Sequence, residues 1–348
     1  VIATEVKAKW CIASLPAHVI ISPESVRAVI TTLGGPLKYW IDNTESASPV
    51  ATDIEERVRQ SMQKRRAQSS ATFAGSADAA DVVLHVSSQG VSVDRKDTLL
   101  RPLQLDMPLV KAADVNEYFP SAFPALARFH DFVSLENTAR PFADLVDVRL
   151  HVLPPRLDED ELREAGEVIP FVNGEAKLAS NGSGTMYAVC LTNHSDVPLF
   201  PFVMWFDPQS YSVQSFWSPL NGADAPLAAR RWVEEEEDAG EGATPIEAKK
   251  RGYWDNGYLQ LGRSTECHDA MWFELDPGQA RDTGVLKIFL SERMMELNNM
   301  EQDKIFGYTP DGVPNIRASN GEAGTRGGEA LTESWDTVTK LVTVVPNL

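Results

Sequence analysis

The sequence predicts a mainly β protein, α+β overall: a small N-terminal α+β region followed by an antiparallel β-sandwich of jelly-roll type. Three observations carry that expectation. Helical periodicity nearly vanishes after Asp147, and short strand-like runs recur to the end of the chain. Residues 191–217 (LTNHSDVPLFPFVMWFDPQSYSVQSFW) break into strand-like pieces at Asn193-His194-Ser195-Asp196 and Asp207-Pro208-Gln209-Ser210. Those breaks are rich in side chains that bond their own backbone and stop a ladder. Before residue 140, by contrast, strands alternate with two helical patterns. The 348 residues leave room for two domains; the boundary falls at Pro141, giving 1–140 and 141–348.

In the first region, residues 1–35 read as a small β unit, with Val6, Ala8, Trp10 and Ile12 alternating along one face. Val19-Ile20-Ile21 and residues 26–32 are β-branched, and Gly34-Gly35 stops the second. Residues 37–41 form another strand. A helix follows, with a capping box at Thr52 and Glu55 and an apolar stripe at Ile54, Val58 and Met62. Residues 68–80 read as a loop, and 82–86 and 91–93 as a hairpin turned at Gln89-Gly90. A second capping box, Asp114 to Glu117, starts a helix that Pro120 and Pro124 should interrupt. Beyond them Leu126, Phe129 and Val133 make an amphipathic stripe to about Leu135.

In the second region Val148, Leu150 and Val152 alternate with Asp147, Arg149 and His151, as in a half-buried strand. Runs at 186–192, 199–206, 211–217, 257–261, 270–275, 285–290 and 338–345 continue the series. The run 199–206 is nearly all apolar, as suits a strand covered on both faces. Two segments lack periodicity and read as surface insertions, 230–251 and 307–334. The first holds an acidic run, Glu234 to Asp238, flanked by Arg230, Arg231, Lys249, Lys250 and Arg251 onto which it could fold back.

Composition narrows the function. The net charge of −18 repels phosphate backbones and argues against nucleic acid as partner. The basic trio Lys64-Arg65-Arg66 sits where cations complement a helix C-terminus. No apolar run approaches the ~18 residues of a membrane span, and no signal peptide precedes the first strand. The opening on Val1 in mid-strand reads as a piece of a longer protein. The three widely separated cysteines, Cys11, Cys190 and Cys267, fit a reducing, cytoplasmic setting better than a disulfide scaffold. The sequons at Asn181 and Asn193 would matter only in a secreted chain.

The same run at 191–217 resembles the C-terminal accessory region of the caspase-like (metacaspase-related) proteins of mushroom-forming fungi. Further phrases agree in order and spacing over about the second half of the chain: LDPGQ at 275–279, DTGVLKIFLSE at 282–292, NMEQ at 299–302 and WDTVTKLVTVV at 335–345. DVVLHV at 81–86 and the aromatic helix near Phe129 match more weakly. LGRSTECHDAMWF, at 261–273, departs from the Gly-rich sequence of that family. The resemblance implies a non-catalytic accessory or interaction region, acidic and cytoplasmic, whose partner is a caspase-like peptidase domain upstream in the same protein.

No residue announces a reaction. Caspase chemistry needs a thiolate beside an imidazole, with Gln-Ala-Cys-x-Gly and His-Gly phrases. Cys11 and Cys190 lie in strand-like KWCIA and AVCLT, and no His-Gly pair occurs. Cys267-His268 would point to opposite faces of a strand, and no second pair exists for zinc. The expected catalytic and metal residues are therefore none, and no cofactor is implied. The alternative is a ligand- or glycan-binding sandwich, because sugars stack on exposed aromatic rings beside carboxylates and amides. Most aromatics, Trp205, Phe206, Tyr211, Phe216, Trp217, Trp272 and Phe273 among them, read as core. Trp254, Asp255 and Asn256, read as a loop, together with Tyr258, are the candidate ligand contacts.

Overall fold

The computed structural model describes residues 2–7, 10–14, 37–43, 45, 47–65, 71–96, 109–137, 139–154, 166–180, 185–219, 227–234, 252–261, 270–273, 275, 280–295, 297, 300–303 and 335–346. It is mainly β. In chain order the elements are β1 (Ile2–Lys7), β2 (Trp10–Ser14), β3 (Lys38–Asn43), α1 (Pro49–Arg65), β4 (Thr72–Phe73), β5 (Val82–Ser87), β6 (Gly90–Arg95), β7 (Leu109–Lys111) and α2 (Val115–Val133). Then come β8 (Val146–Leu153), β9 (Val168–Ile169), β10 (Glu175–Ser180), β11 (Met186–Asn193), β12 (Phe200–Asp207), β13 (Ser212–Trp217), β14 (Arg231–Glu234), β15 (Gly252–Asp255), β16 (Gly257–Gln260), β17 (Met271–Trp272), β18 (Asp282–Ser291) and β19 (Trp335–Pro346).

Three larger sheets form. Sheet I has the order β4-β3-β5-β6-β7, with β4 and β5 both parallel to β3 and the rest a meander. Sheet II has the order β10-β19-β18-β12-β13. Sheet III has the order β16-β11-β8-β9, with β17 also pairing β11. β1–β2 and β14–β15 are separate antiparallel pairs.

Sheet II is the middle layer. Because strand side chains alternate, its strands must be apolar on both faces. Val203, Leu286, Ile288, Leu290, Val342 and Val344 pack against Val148, Leu150, Val189 and Leu191 of sheet III, which makes the β-sandwich. From the other face Phe202, Met204, Phe206, Val285 and Phe289 pack onto Leu126, Phe129 and Val133 of α2. The same core continues through Ile54 and Val58 of α1 to Val82, Leu84 and Val86 of sheet I. The order of layers is sheet, helices, sheet, sheet, and the apolar core runs unbroken from the N-terminal elements into the sandwich.

The junction is tied by polar and aromatic contacts. Phe129 meets Phe206 and Tyr211 edge-on, with centroids 5.6 Å and 5.4 Å away. The Arg95 guanidinium, from β6, lies 5.4 Å from the Phe129 ring and 5.1 Å from that of Tyr211. Lys287 of β18, fully buried, donates to the Val133 carbonyl at 2.7 Å. Asn137, beyond α2, donates to the carbonyl of Trp335.

Several expectations need correction. α1 begins at Pro49 with Ser48 before it, not at a Thr52 box. Ser48 Oγ takes the Ala51 N–H at 3.5 Å and its carbonyl the Thr52 N–H at 3.0 Å, while proline suits the first helical position. α2 runs through both Pro120 and Pro124 without a break. Each proline forgoes one backbone bond at about 3 kcal/mol, and burial of Phe123, Leu126, Phe129 and Val133 outweighs that. Asp114 precedes α2 without a side-chain cap bond. The opening run is two strands, not one, and a two-residue strand, β4, lies in the expected loop at 68–80. β7, β9 and β10 were not anticipated. β10 runs parallel to β19, so the sandwich is not wholly antiparallel. Glu234 closes the β14–β15 pair opposite Gly252. Arg230 pairs with Asp196 and Arg231 with Asp255. The strands expected at 19–32 and the segments 235–251 and 304–334 lie outside the described residues. No helix among the described residues is long and apolar enough to cross a membrane.

A core shared across residue 140 predicts shared unfolding. Phe129→Ala should cost about 3–5 kcal/mol. Far-UV and tryptophan signals should then fall in one coincident denaturant transition. Two separated transitions would show that the layers are independent.

Candidate functional site

The shared phrases sit at buried turns and close contacts. In LTNHSD, Asn193 is fully buried and its amide is fully engaged. Its Nδ2 donates to the carbonyls of Val197 at 2.8 Å and Ala228 at 2.9 Å; its Oδ1 accepts from Ser195 N–H at 2.9 Å and Ser195 Oγ at 2.6 Å. Such a side chain cannot carry a glycan in the folded protein. In FDPQSY, Asp207 Oδ1 accepts from Gln209 N–H at 2.9 Å and Ser210 N–H at 3.2 Å, an Asx-type turn. The turn ends on Tyr211 at φ 55°, left-handed backbone that a bulky residue adopts only when its surroundings impose it. Gln302, of the NMEQ phrase, donates to the Tyr211 carbonyl and exchanges backbone bonds of 2.9 Å with Val213.

The remaining phrases behave the same way. In DTG, Thr283 and Thr343 hydroxyls meet at 3.0 Å, and Gly284 leaves its Cβ space to the Trp205 indole. In WDT, the buried Asp336 carboxylate takes backbone N–H groups of Phe142 at 2.8 Å, Ala143 at 2.6 Å and Thr337 at 2.7 Å. These residues hold the sandwich together.

The candidate ligand residues are partly brought together. Trp254 and Asp255 are in strand β15, not a loop: Trp254 pairs with Trp232 and Asp255 with Arg231. The Trp254 side chain lies outside the described residues. Asp255 is taken up by the Arg231 guanidinium at 2.8 Å and 2.9 Å, which leaves its carboxylate an ion-pair partner rather than a waiting acceptor. Asn256 is half-buried. Tyr258, on β16, is 52% exposed, and its hydroxyl donates to Cys190 Sγ at 3.2 Å.

Cys190 itself is buried in β11. Burial pushes its thiol up, with the Tyr258 hydroxyl and the Arg149 charge opposing. A thiol so placed is mostly protonated at neutral pH, the opposite of an activated nucleophile. Cys11 belongs to β2, and its side chain, like Cys267 and His268, lies outside the described residues.

The residue that the sequence reading misassigned is Trp272, which is 63% exposed and not core. Its partner in register is Met186, and that of Tyr258 is Thr192. Both rings therefore stand on the outer face of sheet III, six positions apart along β11, or about 20 Å. Arg149 and His151 of β8 and Gln260 of β16 share that face, since they pair with Cys190, Ala188 and Cys190 respectively. Trp272 ends the two-residue strand β17, and its face is set by its register with β11.

A second polar convergence lies on sheet I. His85 stands between Asp42, with Nδ1 to Oδ2 at 3.0 Å, and Asp94, with Nε2 to Oδ2 at 3.6 Å. All three side chains are part-exposed, where such pairs are worth at most ~1 kcal/mol. Among the described residues no group of three or more His, Cys, Asp or Glu side chains is placed to hold a metal ion. No family model matches the chain, and no curated protein matches it.

The scaffold and the outer face should respond differently to substitution. Asn193→Ala removes a fully buried amide that bonds two part-buried carbonyls and Ser195, and should cost about 2–4 kcal/mol. Trp272→Ala should stay within about 0.5 kcal/mol. Urea denaturation of both variants checks this; equal losses would place Trp272 in the core.

Proposed function

We propose that this chain is a non-catalytic accessory region, which supports or docks a caspase-like cysteine-peptidase domain of the same protein in the cytoplasm. The observation that carries this reading is where the resemblance lies. The phrases similar to the fungal caspase-like proteins form turn caps, a glycine-for-indole contact and a buried carboxylate anchor. Those are constraints on a scaffold, and a scaffold is what an accessory region supplies. The burial of Cys190, with its thiol held protonated, supports the same reading.

A second reading is favoured by one observation, the exposed rings of Trp272 and Tyr258 on a single sheet face. Two aromatic platforms about 20 Å apart, beside Gln260 and His151, suit an extended ligand with repeated apolar faces and hydroxyls, such as a glycan. Trp254, Asp255 and Asn256 then contribute less than Trp272.

Two assays separate these readings from their rivals. Incubated with peptides cleavable after Arg, Lys or Asp, the chain should show no thiol-dependent turnover; turnover abolished by Cys267→Ala would overturn the accessory reading. On a glycan array the folded chain should bind only if the second reading holds, and Trp272→Ala should remove that signal. A signal unchanged by the substitution would place the glycan elsewhere.

A further inference from the structure

Lys287 lies at the centre of sheet II, between Met204 of β12 and Thr339 of β19, on the face that receives α2. Its side chain is fully buried. Its Nζ donates at 2.7 Å to the carbonyl of Val133, the last residue of α2, and lies 5.7 Å from the Phe289 ring centre. The last carbonyls of a helix have no partner within it. Lys287 thus caps α2 from a different layer, and an amine that leaves this place must take the helix end with it or leave a carbonyl unbonded.

We propose that Lys287 is a proton-linked latch: undocking of α2 from the sandwich is coupled to protonation of the Lys287 amine. An ammonium ion is costly to remove from water, whereas a neutral amine can make the same bond to Val133. Among the described residues, the ionisable groups on the elements packed at this face are Arg128, His130 and Asp131 on the last turns of α2, Glu136 beyond it and Arg95 of β6 over the Phe129 ring, whereas Asp336, opposite Leu290, is on the sandwich face of β19. Asp336 is committed to three backbone N–H groups. Glu136 acts on the amine and favours its charged form, but it is exposed and the effect of burial is larger. Met204 and Thr339, the neighbours on either side, carry no charge.

The sign follows from linkage. Burial lowers the amine from 10.5 to about 7 in the docked state, and undocking returns it to water. Between those values the open state holds one proton more, so docking gains stability as pH rises from about 7 to about 10.5. Below about 7 both states are protonated and the dependence levels off. At about pH 7 the docked amine is half charged, and the dependence steepens to its full slope between the two values.

Native-state hydrogen exchange of the full chain at pH 7.5 to 9.5, corrected for intrinsic rates, tests the proposal. The opening constant of amides in the last turns of α2 should rise about tenfold for each unit that pH falls. In Lys287→Met this extra slope should vanish. Equal slopes in the two proteins would overturn the latch. Should the variant not fold, NMR titration of the parent chain labelled with 13C at lysine Cε decides. One lysine titrating near 7 supports the latch, and all lysines titrating near 10.5 overturn it.

Discussion

Everything in this fold depends on a middle sheet that has no face left for water. Sheet II covers sheet III with one set of side chains and α2 with the other, so every residue along β12 and β18 must be placed correctly in both directions. A one-residue slip in register would carry Phe202, Met204 and Phe206 to the wrong layer. The turn from β12 to β13 fixes the register at one end. Asp207 closes it with its own carboxylate, and Tyr211 pays into the α2 interface a ring that its backbone must turn left-handed to deliver. That conformation costs ~1–2 kcal/mol. The T-shaped contact with Phe129 and the Arg95 guanidinium over the ring, the latter ~2 kcal/mol when desolvated, offset it.

The fold was legible where one property dominated. The apolar run at 199–206 became β12, buried on both faces, and the stripe of Leu126, Phe129 and Val133 became the face of α2 that meets it. The sequence misled where two signals opposed each other. Pro120 and Pro124 argue for a break, yet the burial on either side of them outweighs two lost backbone bonds. β10 offers only Ala176 and Leu178 as inward residues, too little for a periodic signal, although Asn173 at φ 53° and Gly174 at φ 83° mark the turn before it. Trp232 and Trp254 are partners in a strand pair whose halves are separated by the acidic segment, so neither half could be recognised alone.

The candidate site was less legible for a related reason. A strand residue's face is set by register, and register comes from the partner strand. Trp272 is exposed because it is opposite Met186 on the outer side of β11, while its neighbour Met271 is core. Alternation over two residues cannot show this. Tyr258, by contrast, was named as a ligand contact among polar neighbours and does stand exposed, although Asp255 beside it is occupied by Arg231.

The α2 junction holds two buried cations, and they meet the cost of burial in different ways. A guanidinium carries its charge permanently in proteins and needs a permanent complement, and at Arg95 the faces of Phe129 and Tyr211 supply part of it. Lys287 sits over one ring at greater distance and against one carbonyl, surroundings too poor for a full charge. It can, however, discharge. The two positions are therefore not interchangeable: an arginine at 287 would bring a charge that cannot leave, and a lysine at 95 would lose the planar stacking that spans both rings. One cation makes the junction permanent, and the other makes it responsive to protons.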